Sequence, residues 1–148
     1  MPATFIEKIN RRAIRIASGR DRIRPGQAVR ISEAAAPNDC VRQGDLYIVV
    51  VEAVPEGYKQ AEKPNVQLVP GNTEGAKHCL DSLAAVDVFL PPQWGPESLQ
   101  GPCVVAKSDV TILHPKHGHV TVPGGMLVRC DYQREFDAEL RRERRNAD

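Results

Sequence analysis

The side chains best suited to chemistry are the four histidines, of which three lie within one six-residue stretch. His117 and His119 are two residues apart, so on a β-strand their rings point to the same side. His114 precedes this pair, and His78 can join from another strand to complete a set of imidazole ligands for zinc. The spacing therefore raises a zinc-site hypothesis. Its alternative is a polar, histidine-rich loop that runs into an exposed strand.

The sequence lacks the motifs by which most catalytic sites are recognised, namely CxxC, HExxH, GxSxG, the P-loop and GxGxxG. Cys79 follows His78 directly, but neighbours on a strand face opposite ways and do not make a nucleophile–base pair. A cupin-like metal enzyme would need a carboxylate soon after the HxH pair, and residues 120–126 contain none. We therefore expect a non-enzymatic protein without a cofactor, and we keep a cupin-like zinc enzyme as an alternative.

The histidines belong to residues 111–136, which have the clearest strand–turn–strand pattern in the chain. Val120 and Val122 alternate with polar residues, as in a β-strand, and Pro-Gly-Gly at 123–125 is a turn signal. Beyond the turn, alternate residues form an apolar face: Met126, Val128, Cys130 and Tyr132. The segment predicts an antiparallel hairpin with one buried side. It places His117 and His119 on the solvent side.

Further strands are predicted by apolar, β-branched runs at 28–31, 45–54, 66–69, 83–90, 103–106 and 110–113. Turns with glycine and proline separate these runs. The pattern is typical of a mainly β fold, a small β-barrel or β-sandwich, with an N-terminal amphipathic helix and a short C-terminal helix. Trp94 lies in a loop with two prolines and two glycines. There it either fills a local part of the core or anchors a contact.

The N-terminal segment predicts an amphipathic helix over residues 4–18. Thr4 and Glu7 form a capping box, and apolar residues recur at helical spacing. This helix can pack on the body, dock on a neighbouring subunit, or contact phosphates or a membrane, although the lack of Trp and Tyr in it counts against a membrane anchor. The contact residues that we expect on the arm are Phe5, Ile9, Arg11, Arg12, Arg15 and Ile16.

The charges of the chain are unevenly distributed. Residues 1–30 carry eight basic and two acidic side chains, a net charge of +6, whereas the other residues carry a net charge of −5. A basic arm on a mildly acidic body favours docking onto an acidic protein surface, or contact with nucleic acid through residues 8–30.

The predicted organisation has a basic helical arm at 1–24, a connector at 25–44, a β domain at 45–137 and a charged C-terminal helix or tail at 138–148. No apolar run is long enough to span a membrane, and no secretory apolar region is present at the N-terminus. The four cysteines are widely spaced, which favours thiols over disulfides. We expect a protein that is not exported by a signal peptide and does not bind membranes, located in the cytoplasm or in a larger assembly.

Several motifs carry a resemblance to a known group of proteins: GDLYIVV at 44–50, VPEGYK at 54–59, VPGG at 122–125 and YQREFD at 132–137. Over about residues 43–137 the chain resembles small uncharacterised bacterial and phage proteins. These have a QGD strand, a PEG turn, a histidine-containing segment, a P-x-G hairpin and a QREY-like tail. The group's middle motif is Gly-His-x-His, and EGAKH at 74–78 lacks its first histidine, which weakens the metal hypothesis. The resemblance implies a β-rich fold and no particular activity.

The sequence as a whole favours an interaction or assembly module that forms a homo-oligomer or decorates a larger, phage-related assembly such as a virion. The partner would be a second copy or another protein subunit, contacted by the arm, because oppositely charged arm and body suit subunits that exchange an arm. The alternatives are non-specific nucleic-acid binding through the arginine-rich arm and the cupin-like zinc enzyme.

Overall fold

The structure, a computed structural model, describes residues 27–71, 77–95, 98–137 and 142–145. Within these residues the protein is mainly β and contains no helix. The predicted helical arm at 1–24 lies outside the described residues, as does most of the C-terminal segment at 138–148. The strands are β1 Ala28–Arg30, β2 Cys40–Gln43, β3 Leu46–Val51, β4 Lys59–Gln60, β5 Cys79–Leu80, β6 Val86–Leu90, β7 Gln100–Ala106, β8 Val110–Leu113, β9 His119–Val122, β10 Leu127–Tyr132, β11 Arg134–Asp137 and β12 Arg142–Arg145.

The described strands form two principal sheets. One has six strands in the order β2-β3-β10-β7-β6-β4, and the other has four in the order β1-β9-β8-β5. β11 and β12 form a separate two-stranded sheet. The sheets do not close into a barrel, so the β-barrel prediction is wrong, and β1, β5, β2 and β4 remain as sheet edges.

Both sheets contribute side chains to one apolar core. Leu46 and Val128 enter it from the six-stranded sheet, and Ile112 and Val120 enter it from the four-stranded sheet. Alternate residues of β3 and β10 are buried, as expected for strands with one face on a core. The predicted apolar face of β10 is confirmed at Val128, Cys130 and Tyr132.

The predicted hairpin within residues 111–136 is wrong in its pairing, although both strands exist. β9 pairs with β8 and β1 in one sheet, while β10 pairs with β3 and β7 in the other. The turn between them packs on the turn between β7 and β8: the Gly125 N–H donates to the Ala106 carbonyl at 2.7 Å. A Cβ on Gly124 would lie 2.9 Å from Ser108 Cα. The chain therefore crosses between the sheets at this turn.

Three other expectations differ from the structure. The predicted strand at 66–69 is reduced to an isolated bridge between Gln67 and Cys79. Two backbone bonds flank this bridge, from the Leu68 N–H to the His78 carbonyl and from the Leu80 N–H to the Val66 carbonyl, and beyond it the Gln67 side chain donates to the carbonyls of Val69 and Gly71. The predicted connector contains β2 in addition to the predicted short strand at β1. The prediction of a C-terminal helix is wrong at residues 142–145. These residues form β12, and its pairing with β11 overrides their helix propensity.

Among the described residues, no helix has the length and apolar character needed to cross a bilayer.

Candidate interaction surface and buried histidine network

His78 lies at the centre of a buried polar network. It precedes β5 and is fully buried, and its partners Gln43 and Asp45 flank the turn between β2 and β3. Nδ1 of His78 is 2.8 Å from Gln43 Oε1, and Nε2 is 3.1 Å from Asp45 Oδ1. The glutamine and aspartate are also buried. The network therefore joins the β2–β3 turn of one sheet to the start of β5 in the other.

Hydrogen bonding fixes the proton on one ring nitrogen of His78. Gln43 Nε2 donates to the carbonyls of Ile112 at 3.0 Å and Gly118 at 2.7 Å, so its Oε1 faces the histidine. Nδ1 of His78 must therefore donate to Gln43. The other nitrogen, Nε2, lies within hydrogen-bond distance of Asp45 Oδ1. Since both ring nitrogens are engaged inside the protein, His78 has no lone pair to offer a metal ion.

The predicted histidine set does come together in part. The ring centroid of His114 lies 4.4 Å from the centroids of both His78 and His117. His114 is buried, and its Nδ1 accepts the backbone N–H groups of Lys116 at 3.0 Å and His117 at 3.2 Å. Nδ1 of the fourth histidine, His119, accepts the His114 backbone N–H at 3.3 Å.

These nitrogens orient the loop that leads into β9 and do not converge on a common point. Across residues 27–71, 77–95, 98–137 and 142–145, no group of three or more histidine, cysteine, aspartate or glutamate side chains is arranged to hold a metal ion. The geometry supports a structural function for the histidine network. It gives no support to the zinc hypothesis.

The outward side of the six-stranded sheet carries apolar side chains together with charged ones. We define the outer face by six residues that are half-buried and that do not pack against the core cluster: Tyr47, Val49, Val51, Phe89, Val105 and Leu127. Leu127 pairs directly with Val51 on one side and with Val105 on the other, so the apolar side chains form a continuous row across three strands. These side chains are partly exposed, so part of their apolar surface remains in contact with water.

One ion pair lies in the middle of the outer face. Arg129 donates to Asp131 through Nε at 2.8 Å and through Nη2 at 2.7 Å, and the hydrogen bonds to Asp131 raise the pKa of the guanidinium. Tyr58 lies close to this pair, and its hydroxyl donates to the Gly101 carbonyl at 2.9 Å. Burial raises the pKa of Tyr58 to about 12. Gly57, with φ +86°, supplies the left-handed turn that positions this tyrosine.

A cleft of about 530 Å³ borders the outer face. Its walls come from the β1–β2 connection, the end of β3 and the turn before β10. Val51 and Leu127 belong to both the cleft and the outer face, so the two surfaces are continuous. Glu33 and Glu52 are exposed in its walls.

Trp94 is half-buried and bonded to the core. Its indole N–H donates to the Tyr132 hydroxyl at 2.9 Å, and that hydroxyl donates to the Leu68 carbonyl at 2.7 Å. This chain of bonds favours a local plug over a contact anchor. The other predicted contact residues, all in the arm, lie outside the described residues.

Sequence reasoning missed the outer face and the two partners of His78. The outer face had a signal, because β3 is apolar at all six positions and therefore presents apolar side chains to both sides of its sheet. No signal in the sequence pointed to Gln43 and Asp45, because no local residue pattern shows that a glutamine and an aspartate beside a glycine turn are buried.

The chain matches the model of a protein family, described as Domain of unknown function (DUF8820), over residues 42–130. The chain belongs to the DUF8820 family. No curated protein and no solved structure matches it. The DUF8820 segment begins in β2 and ends in β10, so it contains the histidine network and all six residues of the outer face. It leaves β1 and the basic arm outside. The predicted resemblance to an uncharacterised family is thereby confirmed, without a link to phage or bacteria.

Proposed function

We propose that this protein is a non-enzymatic assembly module that binds a second copy of itself through the outer face. The observation that carries the proposal is the row of half-buried apolar side chains on the six-stranded sheet, which lie outside the core cluster. In this proposal the two sheets form a β-sandwich. Its six-stranded side faces the partner and its four-stranded side faces solvent.

The outer face is suited to burial by a partner. Covering its apolar side chains releases about 25 cal/mol for each Å² removed from water. Arg129 and Asp131 already satisfy each other at 2.7–2.8 Å. A partner that covers the pair leaves no unpaired charge, which is the usual cost of burying an ionic group.

The occupant that fits this face is the N-terminal arm of a neighbouring copy. The arm has apolar residues at helical spacing, such as Phe5, Ile9 and Ile16, which match an apolar surface. The net charge of +6 over residues 1–30 complements the net charge of −5 on the rest of the chain. Such arm exchange can close a homo-oligomer or attach the subunit to a larger assembly, including a virion, in the cytoplasm.

The experiment is a measurement of solution mass by light scattering at low and high salt. We expect a defined oligomer that loosens as salt rises, since screening weakens the attraction between arm and body. Deleting residues 1–24 should give a folded monomer. Leu127→Arg should also dissociate the oligomer, because it introduces a charge into the outer face. Leu113→Arg is the matched control, since Leu113 is an exposed leucine on the four-stranded sheet.

Two results would contradict the proposal. One is a wild-type monomer at both salt concentrations, and the other is an oligomer that survives both the deletion and Leu127→Arg. A monomer whose affinity for nucleic acid falls steeply with salt would favour the nucleic-acid alternative instead.

A further inference from the structure

The cleft beside the outer face offers negative charge and no positive charge. Glu33 and Glu52 line it, and no lysine, arginine or histidine does so among the described residues. Glu33 is already paired with Arg30 at 3.1 Å. Glu52 makes no ion pair with any residue in the described part of the chain, so it is the carboxylate that remains for a ligand.

The glycine turn that lines the cleft does not supply N–H donors for an anion. The N–H of Gly124 donates to Asp109 Oδ1 at 2.9 Å. The N–H of Gly125 donates to the Ala106 carbonyl at 2.7 Å, and that of Met126 to the Pro123 carbonyl at 3.2 Å. The cleft thus combines a carboxylate and apolar walls with a turn whose N–H groups already donate within the protein. Such a cleft is suited to a side chain with an apolar stem and a cationic head.

The volume of about 530 Å³ lies in the range of sites that hold a ligand or a short chain segment. The cleft also shares Val51 and Leu127 with the outer face. A segment that lies across the outer face therefore reaches the cleft without leaving an apolar surface.

We propose that the cleft receives Arg12 from the arm of a second copy, with Glu52 as the carboxylate that binds the guanidinium. This inference rests on the proposed assembly function and adds the contact that orients the arm. In the predicted arm helix, Arg12 is three residues after Ile9 and four before Ile16, so it borders the apolar stripe. Arg11 and Arg15 lie further from the stripe. Arg12 is therefore the arginine that reaches a cleft at the edge of an apolar face.

The direction of β1 favours an arm from another copy. Gln27 accepts the His119 N–H at 2.7 Å, so the chain enters β1 at the first residue of β9. The two strands are parallel, and the cleft lies beyond their far ends, at Glu33 and Pro123. The described chain therefore enters β1 at the end opposite to the cleft, whereas an arm from a second copy can approach the cleft from its open side.

The test compares the dissociation constants of full-length variants by sedimentation at low salt. Glu52→Gln should weaken the oligomer about threefold to tenfold and reduce its salt dependence, because one ion pair is lost. Glu62→Gln is the control, since Glu62 is also exposed but does not line the cleft. Glu52→Lys should weaken the oligomer further, and combining it with Arg12→Glu should restore part of the affinity.

The outcomes separate this inference from the proposed function. If the wild type forms an arm-dependent oligomer and Glu52→Gln matches it, the cleft contact is refuted and the assembly function stands. Equal losses for Glu52→Gln and Glu62→Gln also refute the contact, since they indicate a general charge effect. A wild type without an arm-dependent oligomer overturns the proposed function and this inference with it.

Discussion

Replacing Gln43 by leucine tests whether the buried histidine network ties the two sheets together. Gln43 belongs to the six-stranded sheet, and its side chain donates to the carbonyl of Ile112 on β8 in the other sheet and to that of Gly118. Leucine has a similar size and no polar atoms, so it leaves the Nδ1–H of His78 without an acceptor and removes a donor from each carbonyl.

The magnitude follows from these three lost bonds. A buried donor without an acceptor costs about 1–3 kcal/mol, and each lost hydrogen bond costs about 0.5–1.5 kcal/mol. Gln43→Leu should therefore lower the free energy of unfolding by about 2–6 kcal/mol, a large part of the roughly 5–15 kcal/mol that stabilises a typical domain. The midpoint of thermal unfolding should fall by on the order of 10 °C.

The assay is urea unfolding followed by tryptophan fluorescence and circular dichroism. Gln60→Leu is the control, because Gln60 is exposed on β4 and its replacement should change the free energy of unfolding by less than about 0.5 kcal/mol. A loss below about 1 kcal/mol for Gln43→Leu would refute the network as an important source of stability. Nitrogen NMR of the wild type gives a second readout, and a His78 ring protonated only at Nε2 would contradict the assigned hydrogen bonds.

Two further predictions concern an ion pair and the thiols. Hydrogen bonds from Arg30 and the Gly124 N–H lower the pKa of Asp109, so its stabilising effect is present above about pH 4 and is lost as pH falls through the folded-state value. The difference in free energy of unfolding between wild type and Asp109→Asn should shrink on acidification, and a constant difference would contradict this. Burial raises the pKa of Cys103 to about 11 and also raises that of Cys130, so neither should react with a disulfide reagent until the protein unfolds. Rapid labelling of either in the native state would contradict the structure.

The strands that could be predicted are those with a complete local pattern. β10 alternates apolar and charged residues, and β3 is apolar throughout, so their existence follows from short-range sequence. β2 was missed because Gln43 occupies an inward-facing position, where a polar residue hides the alternation. Its burial depends on the carbonyls of Ile112 and Gly118, which are far away in sequence.

The candidate site shows the same division. The sequence identified His78 and the 114–119 segment as unusual, and the structure brings the rings of His78, His114 and His117 together. Their function could not be predicted, because it depends on which groups engage each nitrogen. Here the ring nitrogens contact a carboxylate, an amide and backbone N–H groups, so the histidines bind other parts of the protein.

The sequence by itself determined that this chain is β-rich, where most of its strands lie and which residues of β10 face inward, because alternation and turn residues act over a few positions. Tertiary structure decided which strands pair. The Pro-Gly-Gly turn is compatible with a hairpin or with a crossing between sheets, and contacts with Ala106, Ser108 and Asp109 select the crossing. Tertiary structure also left an apolar side of the larger sheet outside the core, because only the assembled layers show which faces of an apolar strand remain uncovered.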